Sequence, residues 1–320
     1  MFPSIVADIG GTNARFALVT GKENDQFVIE NLQILNGSEF PEFADALQAY
    51  LDSLGTETKP VSACVAIAGP IEGDSVKMTN LSWSFTQSGV RDRFGFEKFA
   101  AINDFAALAV ATSALKEQDL ISVKAGLRDT QGNKAILGPG TGLGVAGLAY
   151  SSHGWLPIPS EGGHVNAPPA NALECEIIKA AQQQHEHVSA EVFISGPGLV
   201  NLHKALCVVQ GVSAEALEPK DITGRALDGS DARCTETLNL FCGFLGSVSG
   251  NLALTYGAKG GVYLAGGILP RIIDFLKASP FSERFASKGI MSHYVKDVPA
   301  DVIGHPQTAF LGAATWLTQL

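Results

Sequence analysis

Between Ser4 and Val19 the chain alternates. Ile5, Ala7 and Ile9 are spaced by two, the signature of a strand, and Arg15 to Val19 alternate again. The two runs flank Gly10, Gly11 and Thr12, with Asp8 just before them. The same design recurs at KAILGPGTGLGVAGLAY, residues 134–150: an apolar strand, a Gly-rich turn containing a Thr, and an apolar strand. Either turn alone reads as a tight hairpin. Glycines also let backbone approach a ligand and offer N–H groups to an anion. Two such hairpins in one chain predict two related halves that grip one polyphosphate.

The remaining pattern is that of α/β domains. Phe27 to Leu35 predicts a third strand. Phe43, Leu47, Leu51 and Leu54 share one helical face over residues 40–54. Val61 to Ala68 is a short apolar run stopped by Gly69-Pro70, hence a buried strand. Residues 71–83 hold turn signals and a Thr79-Asn80 pair. Phe99 to Ile102 predicts a strand and Phe105 to Leu115 an Ala-rich helix. In the second half, Asn171 to His187 predicts a helix with Asn171 at the N-cap and Glu174 at N3. Pro197 to Val209 and Ala232 to Tyr256 also predict helices. Val262 to Ala265 is a strand stopped by Gly266-Gly267. Residues from Phe275 read as helix and loop, Val298 to Ile303 as a last strand and Ala309 to Leu317 as a last helix. The stretch from Ile303 to Pro306 is where the chain is expected to cross back to the first domain.

Composition narrows the class. At ~150 residues per domain, the 320 residues predict about two domains. A 46% hydrophobic content fills cores, and 17% charged residues is low for a disordered chain. The formal charge is −10 with no basic stripe, which argues against nucleic acid as a partner and calls for a metal counter-ion if a nucleotide binds. Cys64, Cys175, Cys207, Cys234 and Cys242 are scattered, with no CxxC pair, as expected of reduced thiols rather than a disulfide framework or zinc site. No uninterrupted apolar run reaches the ~18 residues of a membrane span, and the first strand starts too early for a signal peptide. These features predict a soluble, cytoplasmic protein.

Several constellations can carry chemistry. Asp8 beside its Gly-rich turn can hold Mg²⁺ directly or through water, or can simply form the turn. Gly142, Gly144 and Gly147 fit G-x-G-x-x-G with Glu161 downstream, but a strand follows them where a dinucleotide fingerprint needs a helix. No P-loop signature occurs. Asn103-Asp104 lies between a strand and a helix: either a helix cap, or a carboxylate at a strand's end placed to accept a hydroxyl proton. In Glu161-Gly162-Gly163-His164 two glycines hold an acid and an imidazole on one tight turn, suited to a polyol, although a lone His is usually structural. Glu191, on the residues alone, reads as a helix-dipole and capping group. Gly266-Gly267 lets a flat group such as adenine lie on the backbone, or makes a plain strand-to-helix turn. His185 and His187, two apart on the expected helix, point to different sides and make no metal site.

The motifs together resemble those of bacterial ATP-dependent glucokinases, in the hexokinase, actin and heat-shock ATPase superfamily. They run nearly end to end: DIGGTNAR (8–15), AIAGPI (66–71), MTNLSW (78–83), INDF (102–105), GPGTGLGVA (138–146), EGGHV (161–165), HVSAE (187–191), SGPGLVNL (195–202), SGNLAL (249–254) and GGVYLAGGI followed by Pro270-Arg271. The resemblance implies that Asp8, Ile9, Gly10, Gly11 and Thr12, with Gly138, Gly140, Thr141 and Gly142, bracket the ATP phosphates. It places Gly266 and Gly267 near the adenosine, and Asp8 on Mg²⁺ through water. Asn103, Asp104, Glu161, His164 and Glu191 would hold glucose, with Asp104 as the base. Pro139 departs from the family pattern, where a small residue is usual, and would stiffen the second loop. The Cys-rich zinc motif of the related repressor and kinase group is absent, as is a helix-turn-helix.

The expected architecture is therefore a two-domain, actin-like (ribonuclease H-like) α/β ATPase fold with a deep interdomain cleft. Residues 1–106 plus 303–320 would form the small domain and 107–302 the large one. Glucose would bind at the floor of the cleft and Mg-ATP across the two hairpins, with closure on sugar binding. The product would be glucose 6-phosphate, the enzyme a homodimer. Alternatives on the same fold are a kinase for mannose, fructose or an N-acetyl hexosamine, and a non-catalytic sugar sensor.

Overall fold

The computed structural model describes residues 2–78 and 81–320. The Thr79-Asn80 pair lies outside the described residues. The chain divides into two compact units. The first comprises Met1–Lys116, Ser151–Pro157 and His305–Leu320, the second Glu117–Tyr150 and Ile158–Gly304.

In the first unit, β1 (Ser4–Ile9), β2 (Asn13–Glu23) and β3 (Gln26–Asn36) form an antiparallel meander. β4 (Ser62–Ile67) and β8 (Lys98–Asn103) extend it, giving the order β3-β2-β1-β4-β8. β1, β4 and β8 run parallel, with Ile9 opposite Ile67 and Ile67 opposite Asn103. The C-terminal ends of the three strands therefore lie level. β4 is buried at every position, as its unbroken apolar run requires. Helix α1 (Phe43–Ser53) packs Phe43, Leu47 and Tyr50 onto this sheet, where Tyr50 stacks on Phe16 at 5.2 Å between centroids. It starts at Phe43 rather than Phe40, because a residue before proline is held extended, as Phe40 is at φ −118°, ψ 127°.

Three very short strands make a small separate sheet: β5 (Ile71–Glu72) and β6 (Ser75–Lys77) within the span 71–83 that carries turn signals, and β7 (Ser84–Thr86) just after it. The next helix, α2 (Gln87–Phe94), was not legible in the sequence, since Val90 is its one buried residue. Helix α3 (Asp104–Ala111) follows β8 directly. It ends before Leu115: Thr112 and Ser113 bond back to the carbonyls of Ala109 and Val110, both at 2.7 Å, closing the last turn.

The second unit carries a six-stranded sheet. Its strands are β9 (Leu120–Lys124), β10 (Lys134–Pro139), β11 (Leu143–Ser151), β12 (Gly154–Ser160), β13 (Val262–Leu264) and β14 (Ala300–Ile303), in the order β12-β11-β10-β13-β14-β9. β10 and β11 form the second hairpin, with Gly138 opposite Gly144. β11 is a strand throughout, so Gly142, Gly144 and Gly147 make no dinucleotide fingerprint. β10 and β13 run parallel with Leu137 opposite Leu264, which sets Gly138 and Gly266 at the same end of the sheet.

Helix α4 (Ala172–Ala181) is capped as expected, the Asn171 side chain accepting from Glu174 N at 2.9 Å. It ends at Ala181, so His185 and His187 are not helical, contrary to expectation. The buried face Ile177–Ala181 meets His185 where its next apolar residue would have to stand, and tight turns over 182–184 close the helix instead. α5 (Gly196–Val209), α6 (Pro219–Leu227) and α7 (Ala232–Thr255) follow. By length and mean hydropathy, 1.3 over its best 18 residues, α7 could cross a membrane. Its apolar residues instead fill this unit's core, 83% of that window being buried. α8 (Ile273–Ala278), α9 (Phe281–Ala286) and α10 (Ser292–Val295) are short. The last helix, α11 (Thr308–Leu317), belongs to the first unit, where Gly312 lies on the backbone of Ala107 in α3 so closely that a Cβ would not fit.

Candidate active site

In the first unit the candidate groups gather where β1, β4 and β8 end, the edge at which α/β sheets commonly hold ligands. Asp8 and Ile9 close β1. Gly10 and Thr12 shape the turn by backbone bonds, Gly10 N to Asn13 O at 3.0 Å and Gly37 N to Thr12 O at 2.8 Å, with Gly11 between them. Asp8 stands cross-strand from Arg15, and their charged groups approach to 3.5 Å. Burial pushes the Asp8 carboxyl above its ordinary range, and Arg15 only partly offsets this.

Asn103 and Asp104 sit at the end of β8. The helix-cap reading holds for Asn103. Asn103 is the N-cap of α3, its Oδ1 accepting from Ala106 N at 3.1 Å. Asp104 is the first helical residue, with Oδ1 accepting from its neighbour Phe105 N at 2.8 Å. This backbone bond holds the side chain at the start of the helix, at the end of β8.

The described residues contain no group of three or more His, Cys, Asp or Glu side chains placed to hold a metal. An all-protein cage is therefore lacking among them. Asp8 offers one enclosed, incompletely balanced carboxylate beside a turn of backbone N–H groups. That fits Mg²⁺, which keeps several waters and takes much of its remaining shell from nucleotide phosphates.

In the second unit the second Gly-rich loop meets the polyol candidates. Gly140 N bonds Gly142 O at 2.8 Å, and Gly140 O accepts from Gly196 N, at the start of α5, also at 2.8 Å. Thr141, at the tip, is exposed. Glu191 Oε2 accepts from Leu143 N at 2.7 Å, on the far side of the loop, while its Oε1 lies 3.9 Å from His164 Nδ1. His164 Nε2 is 4.0 Å from Glu161 Oε2. Glu161, His164 and Glu191 thus form one cluster against the loop. The Glu161 side chain is 90% exposed and that of His164 60%, so both can meet a ligand from solvent. The glycines between them have a packing reason: a Cβ on Gly163 would strike the Leu143 carbonyl, and one on Gly162 would lie 2.8 Å from Val145 Cγ1. His187 holds the turn from behind, its Nε2–H donating to His164 O at 2.8 Å. It was weighed in the sequence only as a metal ligand; a backbone contact of this kind leaves no sequence signal.

Gly266, at φ +93°, faces Pro139 so closely that a Cβ would meet that residue's carbonyl. Gly267 has open space beyond it. A cavity of about 690 Å³ opens here, bordered by Gly140, Thr141, Gly267 and the first turns of α5. Its walls include Pro197, Asn201 and Arg271, residues to which the sequence reading gave no task.

The sequence profile of the glucokinase family matches residues 5–320. A glucokinase of Saccharophagus degradans is 65% identical over 320 residues, covering all of this chain and 99% of that protein. One from Chromobacterium violaceum is 43% identical over 99% of this chain and 89% of its own length. The crystal structure of a glucokinase from an Antarctic psychrotroph superposes with a TM-score of 0.94 at 41% identity, covering both chains fully. A ROK-family glucokinase from Streptomyces griseus, solved with glucose and AMPPNP, shares the fold at 18% identity and a TM-score of 0.65, over 98% of each chain.

Proposed function

We propose a division of labour among the residues of a chain that belongs to the glucokinase family and phosphorylates glucose with ATP as donor. The observation that carries the proposal is the Glu191 carboxylate, which bonds the Gly-rich loop with one oxygen and approaches His164 with the other. Glu161, His164 and Glu191 accept from and donate to the sugar hydroxyls. Asn103 adds its amide N–H₂, since its oxygen is committed to the cap. Asp104 takes the proton of the 6-hydroxyl as that oxygen attacks the γ-phosphorus in line, and ADP leaves.

On the donor side, the turn from Asp8 to Thr12 and the loop from Gly138 to Gly142 offer backbone N–H groups to the phosphates, and Gly266-Gly267 receives the adenosine. Asp8 would hold Mg²⁺ through water; the ion, bound with the nucleotide, neutralises charge on the phosphate oxygens. Action in the cytoplasm as a homodimer, with neither membrane nor nucleic acid as partner, is part of the proposal and rests on the resemblance and on the acidic, stripe-free composition.

The test is ADP release coupled to a colour reaction, with Mg-ATP, a hexose panel and a no-sugar control. Turnover with glucose well above mannose, fructose and N-acetyl hexosamines is expected. Equal turnover across the panel would remove glucose as the specific acceptor.

A further inference from the structure

The motif SGPGLVNL has a structural position but no task in the chemistry above. It starts α5. Ser195 caps the helix, its Oγ accepting from Gly198 N at 2.9 Å, and Gly196 ties the helix start to Gly140. The next residues turn into the cavity beside Gly267. Pro197 and Val200 of α5, with Pro219 and Ile268, give it apolar walls. Such a slot suits a planar, weakly polar group, and it adjoins a loop whose N–H groups suit phosphates.

Amid these apolar walls stands one amide, Asn201. Its Nδ2 donates to Val192 O at 3.2 Å, which orients the amide and uses one of its two N–H donors. Oδ1 has no hydrogen bond within the described residues. A site with one fixed acceptor distinguishes ligands by whether they bring a donor to it. Adenine carries an amino group at C6, and guanine carries a carbonyl there.

We propose that Asn201 reads the base of the phosphoryl donor, its Oδ1 accepting from the adenine 6-amino group and disfavouring purines that lack it. The inference rests on the reading that the adenosine lies beside Gly266-Gly267. Arg271, on the same wall, is the cavity's cation and is left to the ribose and phosphates.

The experiment compares ATP with purine riboside triphosphate, which lacks only the 6-amino group, in the wild type, Asn201→Leu and Asn201→Ala. One neutral hydrogen bond corresponds to roughly a tenfold preference for ATP in kcat/KM. The expected result is that both variants lose this preference by lowering kcat/KM for ATP alone, with the glucose KM unchanged. The ratio is taken within each preparation, so partial unfolding does not alter it. An unchanged ratio overturns the role of Asn201. Gly267→Phe then locates the failure, since Gly267 has room for a side chain that would enter the cavity. If this variant raises KM for both donors, the nucleotide does bind there and only the role of Asn201 is wrong. If the donor KM is untouched, the adenosine site is wrong as well.

Discussion

The Glu191 carboxylate accepts a hydrogen bond from the backbone N–H of Leu143 at 2.7 Å. A side chain assigned to the sugar thereby also fixes the loop assigned to the phosphates. Among the described residues Glu161 has no such bond to the loop, and its carboxylate approaches His164 at 4.0 Å.

That asymmetry separates two variants. Glu191→Ala frees the loop and is expected to raise KM for glucose and for ATP together. Glu161→Gln is expected to raise KM for glucose about tenfold or more, the scale of one hydrogen bond to a charged group, and leave that for ATP within twofold. Steady-state kinetics with each substrate varied in turn decides it. Parallel changes in both constants for Glu161→Gln would take that residue out of the sugar site.

The second unit's stability depends on a buried ion pair. Glu174, 1% exposed, is the third residue of α4, accepts from Ala170 N at 2.8 Å and receives a two-pronged contact from Arg284 of α9, one branch at 2.9 Å, while Arg284 also reaches Ser247 Oγ at 2.7 Å. Arg284→Met strands a carboxylate in the core and is expected to cost ~3–5 kcal/mol. Chemical denaturation followed by circular dichroism measures this. A loss below about 1 kcal/mol would mean that Glu174 finds another partner.

Lys134, at the start of β10, is buried against Tyr263 and near Arg128. Burial first, and then the Arg128 charge, push its ammonium down to about 7. Below that pH folded and unfolded chains both carry the proton, and the folded state bears the full cost of a buried charge. From about pH 7 up to the ordinary lysine range only the unfolded chain holds it, so this residue's contribution to stability rises with pH. Lys134→Met is expected to gain most over the wild type at pH 6 and to lose that advantage by pH 10, as thermal melts across the range would show. A pH-independent difference would contradict the assignment.

Much of this was legible in the sequence. The two hairpins announced themselves because a period of two, broken by glycines, has few other realisations. What escaped was either too short or too polar to show a period. The strands β5 to β7 have two or three residues each, and α2 buries only Val90. Glu191 illustrates the limit at the site. It does lie in the first turn of a short 3₁₀ segment, Ala190–Val192, where a helix-dipole group would stand, yet its carboxylate turns to Leu143, 48 positions away. No local pattern encodes a contact at that separation. Asn201 lay within a quoted motif, but its place on a cavity wall emerged only with α5 folded.

The most direct test of the account is the turnover of Asp104→Asn. The substitution keeps an oxygen for Phe105 N and removes the proton acceptor. The fold by circular dichroism and the glucose affinity by calorimetry are expected to persist, while kcat falls by ~10²–10⁴. Near-normal kcat in a folded, glucose-binding variant would contradict the assignment of Asp104 as the base.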